Sequence, residues 1–562
     1  MKISRRVDAV KAEKRAIVLL LSLVLFSTAC GVPGELFDAS GPPRNAVVVE
    51  VVANSSLRPW LETAISRFNE AGAETQSGQP IYVTLELIES GQAIVSMTSS
   101  GALPALWIPD DPVWTEILAE KGVPEFVEDC QSVAESPLVI AMWKPIAEAL
   151  GWPGRDLGWL DVGSLAADPS AWDYYSGGQY GDNLRLGHTH PGLSASGAGT
   201  LLAVVQAAQS KTDAVGADEV QLPIVQASVG AFEAAVSWFS SNTDTLGQTM
   251  SQRGIQFLGA AIVYESTVFE HGGGDPEIVP IYPFEGTFMA THPACMNSLL
   301  ADDLREATRI FRAYLLGEEG QQMSLDFGFR PVLLEIPAGS RLSERTGIDL
   351  SQPDSIFDAP SVDTVYAAQS LWQSARKDVN LVMLIDVSGS MRGSKLANVQ
   401  SAAVQFLEQM GEDDYISIIA FSQDPFILIH HELVGDARGK AIDVIQELNA
   451  GGNTPLYDAI GDGAALIDNT TASQVSNAMV VLTDGMDTGS RRYRFNQSLI
   501  DLAAANNTTV FTIAYGEDAD EIILEELAIR ANGNFYLGDE ASIAMIYEEM
   551  SAAFGGSVGV GR

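Results

Sequence analysis

The sequence predicts an α/β protein with two such units in tandem. Three observations lead there. Short β-branched apolar runs alternate with stretches of helical apolar spacing along most of the chain. With 562 residues and 46% hydrophobic content, the chain can fill two or three cores. Finally, oxygen-bearing side chains gather where predicted strands end, which is where open α/β sheets bind ligands.

The N-terminus carries Lys2, Arg5, Arg6, Lys11, Lys14 and Arg15, then an uncharged apolar segment over 16–26, then Ser27-Thr28-Ala29-Cys30-Gly31. This order reads as a signal peptide over 1–29, which takes no part in the fold. Small residues before Cys30 resemble a bacterial lipobox, with Ser27 where that motif usually carries leucine. The resemblance implies lipidation of Cys30, a tether over 30–45, and attachment to the outer face of the cytoplasmic membrane.

Residues 46–53 form an apolar strand that runs into Asn54-Ser55-Ser56 and a helix to about Glu70. Further strands follow at 81–88 and 103–110. A strand ending in serines at a helix start offers hydroxyls and free backbone N–H groups to an anion. The pattern recurs at Ser194-Ala195-Ser196 ahead of a helix over 201–208. Over 46–351 the chain resembles extracellular solute-binding proteins of the two-lobed type II periplasmic-binding fold. That resemblance implies a cleft near Ser55, Ser56, Ser99, Ser100, Ser196 and Tyr264, open to a small solute or oxyanion. Most of the tryptophans read as core, and His188 and His190 as satisfied structural groups.

Cys130 and Cys295 are the other cysteines. Outside the cytoplasm they are either joined in a disulfide or remain two buried thiols; no further ligands make them a metal site. Residues 352–378 read as a linker, punctuated by Pro353 and Pro360, with a helix over 365–376.

In the C-terminal part, strands at 380–386, 415–421, 478–483 and 509–515 alternate with helices at 396–410, 437–448, 496–505 and 521–531. That order makes a doubly wound, mostly parallel sheet, with an antiparallel edge strand at 425–430. Asp386, Ser388 and Ser390 stand on alternate residues just past the first of these strands. Thr454 follows Gly451-Gly452-Asn453, and Asp484 precedes Gly485 after another strand. Short oxygen side chains fanned from tight turns suit a hard divalent cation, which takes oxygen ligands and keeps positions open. Residues 379–554 resemble a von Willebrand factor A (VWA) domain with its metal-ion-dependent adhesion site. The resemblance implies Mg²⁺, with Mn²⁺ or Ca²⁺ as alternatives, on Asp386, Ser388, Ser390, Thr454 and Asp484, completed by a partner protein's carboxylate. Residues 555–562 are glycine-rich and read as a frayed tail.

Thirty-two Lys and Arg against 73 Asp and Glu give a net charge of −41, so phosphates are repelled and nucleic acid is no partner. No base and nucleophile pair points to an enzyme, and the export signal argues against a chelatase-like subunit. The expectation is an envelope-anchored binding and adhesion protein. The alternative is the substrate-binding component of an ABC-type importer with an accessory VWA domain.

Overall fold

The computed structural model describes residues 41–470, 475–556 and 560; the leader, Cys30 and most of the tether lie outside the described residues. The chain divides into two units, Met1–Ala46 and Val47–Arg562, and the architecture is that of the second. Its described residues form three sheets.

The first sheet has the order Ile81–Leu87, Val47–Ala53, Leu106–Ile108, Pro293–Met296, Cys130–Ser132. Its first three strands run parallel, and Pro293–Met296 runs against both of its neighbours. The second has the order Met289–Ala290, Ser136–Trp143, Ala260–Tyr264, Leu186–Thr189, Val236–Ser240, with Ile278–Ile281 also on Ser136–Trp143. Near-continuous apolar runs such as Ser136–Trp143, buried at every position, form strands covered on both faces.

Two lobes result, because the chain leaves the first sheet after Ser132, builds the second, and returns at Pro293. The helix Asp302–Leu316 then packs Ala307, Phe311 and Leu315 into the first lobe's core beside Trp60 and Phe68. Both passages between lobes are pinned together. Cys130 and Cys295 stand opposite one another across the strand pair and form a disulfide.

The third sheet has the order Pro425–Leu433, Tyr415–Phe421, Asp378–Asp386, Val475–Thr483, Thr509–Tyr515, Phe535–Gly538. All strands are parallel except the edge strand Pro425–Leu433. Ser394–Gln409 covers one face and Leu456–Thr470 the other. Strand order reverses between Asp378–Asp386 and Val475–Thr483, so a crevice opens at their carboxyl ends.

The segment read as a linker is more than a tether. Residues Val362–Ala375 form a helix that buries Val365, Tyr366, Leu371 and Trp372 against the second lobe. Its polar atoms are tied there too: Gln369 Nε2 donates to Pro191 O at 3.0 Å and Trp372 Nε1 to Glu233 Oε2 at 3.1 Å. At its end, Arg376 makes a bidentate pair with Asp414 of the third sheet's domain, at 3.0 and 2.9 Å, both groups buried. Trp238 of the second lobe stacks on Phe511 at 5.8 Å, and Phe511 meets Phe554 edge-on at 4.9 Å. The apolar core therefore runs without a break from the second lobe into the C-terminal domain.

The described residues of the tail are likewise docked rather than frayed. His190 Nε2 lies 2.7 Å from Gly556 O, Val560 N donates to Gly192 O at 2.7 Å, and Val560 is buried. Burial pushes His190 down to about 3, so its imidazole is neutral and can donate to that carbonyl.

Trp372 fills the joint between lobe and C-terminal domain, so Trp372→Ala should destabilise the chain by about 3–5 kcal/mol. Urea unfolding followed by circular dichroism checks this; a loss below about 1 kcal/mol would mean that the joint carries little of the stability.

Candidate functional site

Two clusters of buried oxygens stand at strand ends, one in each half of the molecule.

In the C-terminal domain, Asp386 is the last residue of its strand and wholly buried. Its Oδ1 accepts from Ser388 N at 2.7 Å and its Oδ2 from Thr483 Oγ1 at 2.6 Å. Ser388 Oγ and Ser390 Oγ stand 3.0 Å apart, and Ser390 Oγ donates to Asp484 Oδ1 at 2.6 Å. Backbone bonds sew the three loops together. Gly389 N donates to Gly452 O at 3.1 Å, Gly451 N to Val387 O at 2.8 Å, and Thr488 N to Thr454 O at 3.0 Å. Gly452 has φ +93, and a Cβ there would stand 3.1 Å from Gln423 N; glycine lets the loop turn at that approach. Thr454 is buried, its Oγ1 3.8 Å from where a Cβ on Gly485 would lie.

The donor set fits a hard cation. At Mg–O distances near 2.05 Å, adjacent oxygens of an octahedron are about 2.9 Å apart, close to the Ser388–Ser390 separation. Burial, helped by the nearby Asp484 charge, raises Asp386 to about 6 despite the bonds from Thr483 and Ser388.

Two functional side chains here escaped the sequence reading. Lys395, in the first turn of Ser394–Gln409, places Nζ 2.7 Å from Asp484 Oδ2 and supplies the positive charge that the buried carboxylate needs. Asp458 accepts backbone N–H groups of Arg491, Arg492 and Tyr493 at 2.9 Å each, fixing the loop after Asp484. A carboxylate four residues past Thr454, at a helix start, was the available signal for Asp458.

In the two-lobed domain, Asn54 directly follows the strand Val47–Ala53 and caps the turn after it. It accepts from Ser56 N at 2.8 Å and donates through Nδ2 to Glu89 Oε2 at 3.2 Å and Asp110 Oδ2 at 2.9 Å. Ser55 Oγ donates to Glu89 Oε1, and Ser90 Oγ to Asp110 Oδ2 at 2.6 Å. Tyr264 and Asp110 line a common cavity of about 50 Å³. Gly91 N donates to Leu193 O at 2.8 Å, and a Cβ on Gly91 would fall 2.3 Å from Gly192 O. The lobes thus touch beside the carboxylates, and only glycine permits that approach.

Ser55, Ser56 and Tyr264 accordingly lie with Glu89 and Asp110 between the lobes. Ser196 stands one layer away, its hydroxyl 2.7 Å from both Thr189 Oγ1 and Thr243 Oγ1. Ser99 and Ser100 do not join the cluster. They are exposed at the far end of the helix Ser90–Ser100, where both hydroxyls donate to Ser96 O at 3.2 and 2.8 Å. The helix start, at Ser90 and Gly91, faces the cleft and its C-terminal end points away. Ser100 borders a separate cavity of about 320 Å³ with Glu50, Thr84 and Glu86. Glu89 and Asp110, missed in the sequence, could have been found by the rule that served for Asp386, because each stands two residues past the end of a strand. His188 is a structural group, bonded to Glu233 Oε1 at 3.0 Å. Asp244, Glu270 and His271 also cluster. There the His271 ring bonds Asp244 at 2.8 Å, and the Arg58 guanidinium lies 3.6 Å from that carboxylate.

Fold and sites together define an extracellular-type binding protein: a two-lobed, type II periplasmic-binding-like domain followed by a doubly wound von Willebrand factor A domain. The chain belongs to the bacterial extracellular solute-binding protein family, whose model matches residues 49–330, and the von Willebrand factor type A model matches 380–549. An uncharacterized Synechocystis protein, sll0103, is 31% identical over 181 residues, which is 32% of this chain and 42% of that protein. Mouse inter-alpha-trypsin inhibitor heavy chain H3 is 26% identical over 185 residues, covering 31% of this chain and 21% of the other. The chain thus spans less than half the length of these relatives. Among solved structures, a von Willebrand factor type A protein from Catenulispora acidiphila covers 31% of this chain and 42% of its own at 21% identity and TM-score 0.29. The periplasmic binding protein AfuA from Actinobacillus pleuropneumoniae covers 58% and 97% at 12% identity and TM-score 0.40. Both domain types are typically non-catalytic and serve binding, and an extracellular solute-binding domain suggests export. Among the described residues no helix is long and apolar enough to cross a membrane.

Burial and the neighbouring Asp110 charge raise the Glu89 carboxyl well above the ordinary glutamate range, against bonds from Ser194, Ser55 and Asn54. A proton is therefore held in the folded chain at pH values where the unfolded chain has lost it, and this contribution to stability fades as pH rises. Glu89→Gln should gain thermal stability relative to the native chain as pH rises above about 5. A melting-temperature difference that stays flat from pH 4.5 to 9 would refute the assignment.

Proposed function

We propose that this protein is an envelope-anchored binding and adhesion protein whose VWA domain holds a divalent metal on Asp386, Ser388, Ser390, Thr454 and Asp484. The observation that carries the reading is the hydrogen-bonded oxygen cluster at the switch point of the third sheet. Signal peptide 1–29 directs export and a lipid on Cys30 holds the chain to the outer face of the cytoplasmic membrane. Mg²⁺, when bound, supplies a Lewis-acidic positive charge that a partner protein's carboxylate can meet.

The chain's own residues orient that encounter. Thr483 and the Ser388 N–H hold the Asp386 carboxylate in place from behind. The serines are neutral donors, so two carboxylates at most offset the ion and its attraction for an acidic partner persists. Lys395 competes for Asp484 and holds it in the absence of metal.

A second reading, the substrate-binding component of an importer with the VWA domain as accessory, is favoured by the polar groups buried between the lobes. The two readings differ in which half carries the activity. Transport of a solute would depend on the cleft, and partner capture on the metal cluster.

Capture of an envelope partner should require Mg²⁺ and should fall at least roughly ten-fold in Asp386→Ala, with the circular dichroism spectrum unchanged. Affinity pull-down with Mg²⁺ or with chelator checks both conditions, and capture indifferent to both would remove the adhesive reading. Lys395→Met removes the competing ammonium, a partly exposed pair worth about 1 kcal/mol, so Mg²⁺ should bind roughly five-fold more tightly by calorimetry. Equal or weaker binding would show that Lys395 does not compete.

A further inference from the structure

We infer that the cleft of the two-lobed domain is built for a small organic ammonium, an amine head on an apolar body, rather than for an anion or a neutral sugar. The inference rests on the reading that this domain binds a small solute between its lobes. It departs from the oxyanion that serine-rich helix starts suggested.

Glu89 and Asp110 are 2% and 1% exposed. One Asn54 amide bridges them, and among the described residues no lysine or arginine pairs with either. Two carboxylates taken out of water without a cation are costly, and the protein relieves this only through hydroxyls, an amide and a retained proton. A second anion brought to the same place would add repulsion in a medium that screens poorly. An ammonium removes the deficit.

Of the groups left without a partner, the one that lines the cavity is a carboxylate acceptor. Asp110 Oδ1 is buried without a hydrogen-bond partner among the described residues, and so is Ser56 Oγ. Both lie beside the Asn54 bridge, and Asp110 lines the cavity of about 50 Å³. An ammonium offers three donors and no acceptor, matching the unpaired carboxylate oxygen of Asp110. A neutral sugar would leave the charge of that carboxylate unbalanced.

The rest of the wall selects the body of the ligand. Trp114, Leu202, Tyr264, Phe288 and Met289 line the same cavity as Asp110 and the half-buried Asp111. Aromatic and aliphatic side chains suit a hydrocarbon stem and stabilise a cation against ring faces. They do not suit a metal ion, which asks for six or more oxygens. The contact from Gly91 to Leu193 joins the two lobes beside the Glu89 and Asp110 carboxylates.

The test uses the full exported chain and three probes with one body and different charge: n-butylammonium, 1-butanol and butyrate, each followed by thermal shift and calorimetry, with Mg²⁺ and inorganic phosphate alongside. The expected result is stabilisation by n-butylammonium alone among the three, weakened at least ten-fold in Asp110→Asn and retained in Asp386→Ala. If Asp110→Asn does not fold, Asp111→Asn is read in its place, with at least a three-fold loss. Binding of butyrate, phosphate or butanol in preference to the ammonium overturns the cation assignment and leaves a solute-binding cleft standing. Mg²⁺ stabilisation that survives Asp386→Ala and is lost in Asp110→Asn overturns it in favour of a metal. No response to any probe removes both the assignment and the solute-binding reading, while metal-dependent partner capture is judged separately on Asp386→Ala.

Discussion

The joint around the helix Val362–Ala375 is the constraint on which the rest of the molecule depends. A helix that buries Trp372 against the second lobe and ends on the buried Arg376–Asp414 pair leaves little freedom between that lobe and the C-terminal domain. Its polar groups leave no cheap way to detach it. Separation would take the Trp372 donor from Glu233 Oε2, leaving that carboxylate only His188, and would leave Asp414 without its Arg376 partner. Breaking one partner of a buried ion pair costs more than the pair contributes, because the remaining charge stays desolvated. Trp238 on Phe511 extends the same core.

Both candidate sites follow from one property of α/β sheets. Strands deliver side chains to a common edge and stop, and the next residues must turn. Asp386 and Asp484 are delivered by adjacent strands of the third sheet, and Glu89 and Asp110 follow strands that flank Val47–Ala53 in the first. Turn chemistry supplies Ser, Asn and Gly at those places for conformational reasons, and the same residues supply oxygens.

The two carboxylate pairs differ in how their charge is balanced. Asp484 has the Lys395 ammonium and two serine hydroxyls close by, so its environment is already electropositive in part. Glu89 and Asp110 have only neutral donors. A surface carrying −41 overall cannot relieve them, because exposed charge is screened within about 10 Å and they are buried. In the proposed readings, this difference suits the first pair to a hard cation shared with a partner and the second to a cation enclosed between lobes.

The sequence by itself determined the element order. Apolar period and β-branched runs reported the strands Asp378–Asp386 and Val475–Thr483, the antiparallel edge, and the alternation that makes a doubly wound sheet. Alternate oxygens after a strand reported Asp386, Ser388 and Ser390, because the period of two places them on one side of a turn. Only tertiary structure decided which distant groups meet. It brought Lys395 to Asp484, joined Cys130 to Cys295, set Glu89 beside Asp110 and turned Ser99 and Ser100 outward. It also docked Gly556 and Val560 on the loop after His190. Local pattern encodes which face of an element is apolar, whereas the partner of a buried polar group is chosen by packing, across separations of tens to hundreds of residues that no local period records.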